Sequence, residues 1–223
     1  MNSNQKNNSQ NITKDKLIKK VFPYIRKYGF QSMKMEEIAK YMDVSKATMY
    51  KYFASKEEIM ESTVDALIKY IDELVVESDG TIQSFTVGFQ QLFEQSVLLA
   101  AYIPDDFFNE LQAVYPMLYN RLSDAMRQRE NRTLMFYQQG NHKGFFNKFN
   151  ENLIFLQVNV TIRALLDIKY LMTYRMTLTQ GLWDYYHMNK YQLFKVDYLQ
   201  SIDDSNMTAK IDYMESKITR DLL

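Results

Sequence analysis

Apolar residues recur at spacings of three and four along most of this chain, a period that predicts one helix after another. Leu17, Val21, Ile25 and Tyr28 form the first stripe, which Thr13 can cap and Gly29 can end with a left-handed backbone. Pro23 lies inside that span and predicts a kink or a division into two short pieces. Met35, Ile38, Ala39 and Met42 mark a short helix over 36–42. Asp43 and Val44 then make a break, and Ser45 can cap another helix over about 45–51. Ser55 and Glu58 read as a capping box. It opens a long helix with Ile59, Thr63, Ala66, Leu67, Tyr70, Ile71 and Leu74 on one stripe, ending near Glu77 before a turn at Asp79 and Gly80.

Beyond Thr81 the period stays helical. Ile82, Phe85, Phe89, Leu92 or Phe93, and Val97 share a face, and Pro104 ends that element. Asp105 and Asp106 open a short helix with Phe107, Phe108, Leu111 and Val114 inward. Pro116 suits the first turn of the next, which carries Leu118, Leu122, Ala125 and Met126 and reaches about Gln139. Residues 140–144 read as a loop, and Asn150 or Asn152 starts a long apolar helix through Leu171. A further element falls between Thr177 and Ile202, and a short amphipathic one carries Ile211, Met214 and Ile218. No Asn-Gly hairpin or sustained alternation argues for strands. The expected fold is all-α.

One predicted helix differs from the others. Over 45–51 its apolar positions are the small Ala47 and the flexible Met49, whereas Ser45, Lys46, Thr48, Tyr50 and Lys51 can all donate hydrogen bonds. A helix with so little to bury, set between two that bury theirs, presents side chains outward. Helix, tight turn and polar helix is the helix-turn-helix arrangement, whose second helix lies in the DNA major groove. Charge agrees with this. The chain is formally neutral, yet residues 1–60 hold twelve Lys or Arg against six acids, a net of +6, which leaves −6 for the rest. Such asymmetry points to a basic module joined to an acidic one.

Composition narrows the classes further. Apolar residues make up 46% of the chain, enough for a proper core. Zero Cys rules out disulfides and thiolate metal sites. No run approaches the about 18 apolar residues of a membrane helix, and no secretory start appears, so a cytoplasmic protein without a membrane partner is expected. Residues 1–12, mostly Asn, Gln and Ser, read as a disordered arm. Residues 13–60 read as the DNA-binding domain and 61–223 as a helical effector-binding and dimerisation domain, with the boundary inside the long fourth helix rather than at a linker.

The run Ile38-Ala39, Val44-Ser45-Lys46, Thr48-Met49-Tyr50, Tyr52-Phe53 and Ser55-Lys56-Glu57, with Gly29-Phe30 upstream, resembles the signature of the tetracycline-repressor (TetR) family in one ungapped register over roughly residues 13–65. Asp43 stands where the family usually has Gly, and Asp tolerates a left-handed backbone better than most residues. Met33 stands where Thr or Ser commonly caps the second helix; either Ser32 caps one residue early or one phosphate contact is missing. The resemblance implies that Lys46, Ala47 and Thr48 face base edges and that Tyr50, Tyr52 and Lys56 sit on the backbone, with Met49 and Phe53 in the core. Ser45 and Lys51 complete the candidate DNA-binding set. Lys56, in the first turn of its helix beside free amides, is placed to hold a phosphate. The resemblance also implies a homodimer reading a palindromic operator with half-sites about 34–36 Å apart. Its four-helix interface would be built from the long helix after 150 and the element that follows.

The C-terminal part is rich in aromatic residues and Met. Each one singly fills a helical core; together they suit a cavity for an apolar or aromatic small molecule. Phe107, Tyr137, Asn159, Arg163 and Trp183 are the candidate ligand-binding residues. Asn159, Arg163 and Asp167 recur every four residues, and Arg163 and Asp167 either pair along the helix, line a pocket or mark a dimer seam. His142 and His187 lie in no zinc-type spacing, and the chain has no Gly-rich phosphate loop and no nucleophile elbow. No enzyme, metal or cofactor is expected. The expectation is a dimeric, sequence-specific regulator, a repressor released by a small apolar or aromatic ligand. The alternative is a similar DNA-binding protein without such an effector, controlled by a protein partner or acting architecturally.

Overall fold

Helix is the regular structure throughout the described residues, joined by one isolated antiparallel bridge between Phe146 and Phe194. The computed structural model describes residues 3–74 and 79–222, with side chains in those ranges except at 3–13, 26, 221 and 222. The helices in order are α1 (Ser3–Tyr28), α2 (Met35–Tyr41), α3 (Lys46–Met49), α4 (Lys56–Glu73), α5 (Ile82–Tyr102) and α6 (Asp105–Val114). Then come α7 (Pro116–Lys143), α8 (Glu151–Leu165), α9 (Ile168–Thr173) and α10 (Leu178–Leu193). A 3-10 turn (Val196–Ser201) and α11 (Met207–Leu222) complete the fold.

Several helix ends follow from single residues. Gly29 ends α1 at φ +73°, with its amide donating to the Ile25 carbonyl at 3.0 Å. The Asn150 side chain accepts from the amides of Asn152 and Leu153, and that of Thr177 from Gln180. Pro116 stands at the first position of α7.

Other expectations are corrected. Of the two outcomes expected at Pro23, a kink or a division, the division does not occur, since α1 runs through it. An internal Pro costs about 3 kcal/mol, but Leu17, Ile18, Val21, Phe22 and Ile25 are all buried around it, each at about 1.5–3 kcal/mol. Burial wins. The helix also starts at Ser3 instead of Thr13, so it overlaps the arm read over residues 1–12; extending an existing helix gains one hydrogen bond per residue fixed. Met1 and Asn2 lie outside the described residues, as do residues 75–78, where α4 was expected to end.

Gly140 is not a loop residue but lies inside α7, where a Cβ would stand 2.2 Å from the Phe146 ring. Glycine here lets a ring lie flat against a helix. The long apolar helix ends at Leu165, not Leu171, because the Asp167 side chain accepts from the Lys169 amide at 2.9 Å and caps α9.

The chain forms two compact units. The first comprises Met1–Asp72 and Ile103–Ala125, so it holds α1 to α4, α6 and the start of α7. Its core is built from Val21, Ile25, Phe30, Ile38, Met42, Met49, Phe53, Ile59 and Val64, joined by Phe107 and Leu111 of α6. The second comprises Glu73–Tyr102 and Met126–Asp221. Its core is aromatic, with Phe146 edge-on to both Phe85 and Phe194, and Phe89 stacked on Tyr186.

Candidate nucleic-acid interface

The turn before α3 is made by Asp43, which takes the left-handed conformation at φ 59°. The Val44 amide then donates to the Ala39 carbonyl at 3.1 Å, which closes the turn tightly against α2. Ser45 follows in extended conformation, and its Oγ accepts from the Thr48 amide at 3.0 Å. The two hydroxyls of Ser45 and Thr48 also lie 2.8 Å apart. Of the residues in α3 only Met49 is buried, at 0% exposure, where it joins a core with Ile38, Met42 and Phe53. One apolar anchor therefore holds the whole helix. The remaining surface of the segment faces outward.

The predicted DNA contacts fall into two settings. Ser45, Lys46, Ala47, Tyr50 and Lys51 are exposed and Thr48 and Tyr52 half-buried, on one continuous stretch of chain. Lys46 pairs with Glu36 of α2, and the shared hydrogen bond raises the pKa of Lys46 and lowers that of Glu36. Its ammonium also lies 6.0 Å from the Tyr50 ring centroid. Lys56 is different. It is half-buried, donates to the Gln31 carbonyl at 2.8 Å, and sits 4.9 Å from the Phe30 ring centroid. Burial lowers its pKa, against the nearby carboxylates of Glu110 and Glu37, which raise it.

The capping expected of Ser32 does not occur. Its hydroxyl donates to the Tyr28 and Gly29 carbonyls at the end of α1. Instead Glu37 reaches back from α2 and accepts from the Lys34 amide at 2.7 Å. Ser55 does cap α4 by accepting from the Glu58 amide at 3.2 Å, while the Glu58 carboxylate accepts from Ala54 at 2.6 Å and pairs with Lys14. Two features of this unit went unread in the sequence. Tyr24 and Tyr41 stack with ring centroids 3.7 Å apart, and Tyr28 lies 6.3 Å beyond; the i, i+4 spacing of Tyr24 and Tyr28 was the available signal. Glu110 gives no such signal, since its partners are Phe30 and Gln31, far back in the chain.

The five candidate ligand-binding residues are divided between the two units. Phe107 is buried in the first unit, edge-on to Phe22 at 5.9 Å. The other four belong to the second unit. Tyr137 is buried on α7, and burial raises its pKa. Asn159 is half-buried and donates to the Phe155 carbonyl of its own helix. Arg163 is half-buried on α8, and Trp183 of α10 stacks on His187 at 5.2 Å. A cleft of about 510 Å³ in this unit is lined instead by Asp79, Gly80, Phe85, Met135, Gln138, Gln139, His142 and Lys143. Among the described residues no group of three or more His, Asp or Glu is arranged to hold a metal ion, and no helix is long and apolar enough to cross a membrane.

These features define an all-α protein with an N-terminal helix-turn-helix unit whose second helix carries a polar outer edge. Residues 24–63 match the family model described as bacterial regulatory proteins, tetR family. The match covers the helix-turn-helix, and over those residues the chain is similar to that family. Over 113 residues it is 25% identical to the biofilm operon icaADBC HTH-type negative transcriptional regulator IcaR of Staphylococcus aureus (strain Newman), a stretch covering 50% of this chain and 54% of that protein. The chain thus spans about half the length of the curated relatives it matches. Two solved structures share the fold. The ketosteroid transcriptional regulator KstR2 of Mycobacterium tuberculosis aligns with a TM-score of 0.56 at 18% identity, over 82% of this chain and 95% of that one. AibR in complex with isovaleryl coenzyme A and operator DNA aligns with a TM-score of 0.56 at 12% identity, over 79% and 97%.

Proposed function

We propose that this chain is a homodimeric, sequence-specific DNA-binding transcriptional regulator of the cytoplasm, a repressor released by a small apolar or aromatic ligand. The observation that carries the reading is α3 itself, anchored by Met49 alone and turning Lys46, Ala47 and Tyr50 to solvent. In this reading Lys46, Ala47 and Thr48 meet base edges, with the Ala47 and Thr48 methyls against thymine methyls. Ser45, Tyr50, Lys51 and Tyr52 hold phosphates. Lys56 contributes from the first turn of α4 while its ammonium stays on Gln31. Negative regulation is what the name of IcaR states for that protein, and binding of operator DNA and an acyl coenzyme A is what the structure of AibR holds.

Dimerisation is supported by α8 and α10, which leave Leu153, Leu156 and Val160, and Met188 and Tyr191, more than half exposed. Apolar side chains in water along two helices mark a face that another surface covers. The ligand set rests on Tyr137, Asn159, Arg163 and Trp183 with Phe107.

The test is fluorescence anisotropy on duplex DNA across a salt series. Lys51→Ala is expected to weaken binding to all sequences and to reduce the slope of log K against log salt by about one. Thr48→Ala is expected to change the preferred base at one position of each half-site by about 1–3 kcal/mol. Two variants that bind like the parent would remove α3 from the interface.

A further inference from the structure

Glu110 of α6 reaches residues 29–31, the chain that leaves α1 and leads into α2. Its Oε2 accepts from the Phe30 amide at 3.0 Å and its Oε1 from the Gln31 amide at 2.6 Å. These are charge-assisted bonds to both oxygens of one carboxylate, the stronger class of hydrogen bond. Gly29 makes the turn that presents these amides: it takes φ +73°, the left-handed conformation glycine adopts without strain. On the other side Lys56 of α4 donates to the Gln31 carbonyl at 2.8 Å and lies over the Phe30 ring. Gln31 is therefore held at its amide by α6 and at its carbonyl by α4. Phe30 is fully buried, with Tyr115 at the head of α7 6.4 Å from it.

We propose that Glu110 is a positioning residue for DNA recognition: its carboxylate fixes the segment that aims α2 and α3, and so sets the pose of the recognition helix. The inference rests on the reading of α3 as the DNA-binding helix. Three residues separate Gln31 from α2, and the turn at Asp43 binds α3 tightly to α2, so a shift at Gln31 moves both helices together. The hydrogen bonds of the Glu110 carboxylate go to Phe30 and Gln31, ahead of α2. Its action is on geometry.

Simple electrostatics gives the opposite sign, which makes the claim testable. Removing a negative charge from a DNA-binding unit strengthens attraction to phosphates. Loss of the clamp instead weakens specific binding, because a Gln side chain offers one acceptor oxygen for two amides. The experiment compares the full chain with Glu110→Gln and Glu110→Asp. It measures hydrogen exchange of the Phe30 and Gln31 amides by NMR. It also measures affinity for a duplex selected by the parent from a random pool and for a random-sequence duplex of equal length.

Glu110→Gln is expected to speed exchange at both amides and to lower affinity for the selected duplex, each by about tenfold. Affinity for the random duplex is expected to hold or rise. Glu110→Asp keeps the charge and both oxygens and is expected to restore part of the specific affinity, an outcome that loss of fold would not give. Two results overturn the inference. One is fast exchange of both amides in the folded parent, which needs no variant to read. The other is an unchanged ratio of specific to random affinity in Glu110→Gln. A parent that discriminates among no duplexes overturns the DNA reading itself, and is recognised because the two amides still report on the carboxylate.

Discussion

The two units use polar side chains in opposite ways. In the first, the polar groups of α3 face water and their ion pairs are open to it, as with Lys46 and Glu36, whose side chains are 50% and 62% exposed. In the second, polar groups are buried and tie distant parts of the core together. Lys190 on α10, 8% exposed, pairs with Asp204 at 2.5 Å, and the Tyr186 hydroxyl donates to the same carboxylate. Gln90 on α5 donates to the Tyr186 hydroxyl and to the Asp203 carbonyl. Arg129, also buried, donates to Gln95 and Ser96. Lys210 of α11 pairs with Glu94. A polar group in water costs little and remains available to another molecule. One inside a protein costs stability unless it is matched, and the match then fixes how helices pack. The first unit is thus arranged to be met from outside and the second to hold its own shape.

That contrast gives a ranking of substitutions. Lys190→Ala is expected to have the largest effect, about 3–5 kcal/mol lost from the stability of the second unit, because it strands the Asp204 carboxylate beside Tyr186. Urea unfolding followed by circular dichroism measures it, and a loss as small as that of a surface pair would erase the distinction between the units. Ser45→Ala is expected to cost less, about 1 kcal/mol, since it removes one cap from a short exposed helix. Its consequence for function is expected to be larger than for stability: the Thr48 amide and hydroxyl lose their partner, so weaker DNA binding accompanies only a modest shift of the unfolding curve.

Legibility in the sequence follows the same division. Asp43 at the turn, Ser45 at the cap, Met49 as anchor, Gly29 at the end of α1 and Asn150 at the start of α8 all depend on residues within a few positions of each other. Local spacing carries them. The positions that sequence reading missed depend on distant partners. Glu110 and Gln31 are 79 residues apart, Gln90 and Asp203 113 apart. Gly140 reads as a loop residue from its neighbours because nothing near it indicates that Phe146 folds back onto α7, where its bridge to Phe194 holds it. Asp167 follows Arg163 at a helical spacing, yet it caps α9 and is not a member of α8. A local pattern names a helix; it does not say where a competing cap ends it. For the same reason the helix-turn-helix was readable residue by residue, whereas the aromatic residues proposed for a ligand were readable only as a class.

The central claim is that the outer edge of α3 reads DNA in a two-fold dimer. Selection of bound duplexes from a random pool by the full chain tests it most directly. The expected result is an enriched palindrome with half-sites centred about one helical turn, 34–36 Å, or a multiple apart. Recovery of no common sequence, or of a single unrepeated site, contradicts it.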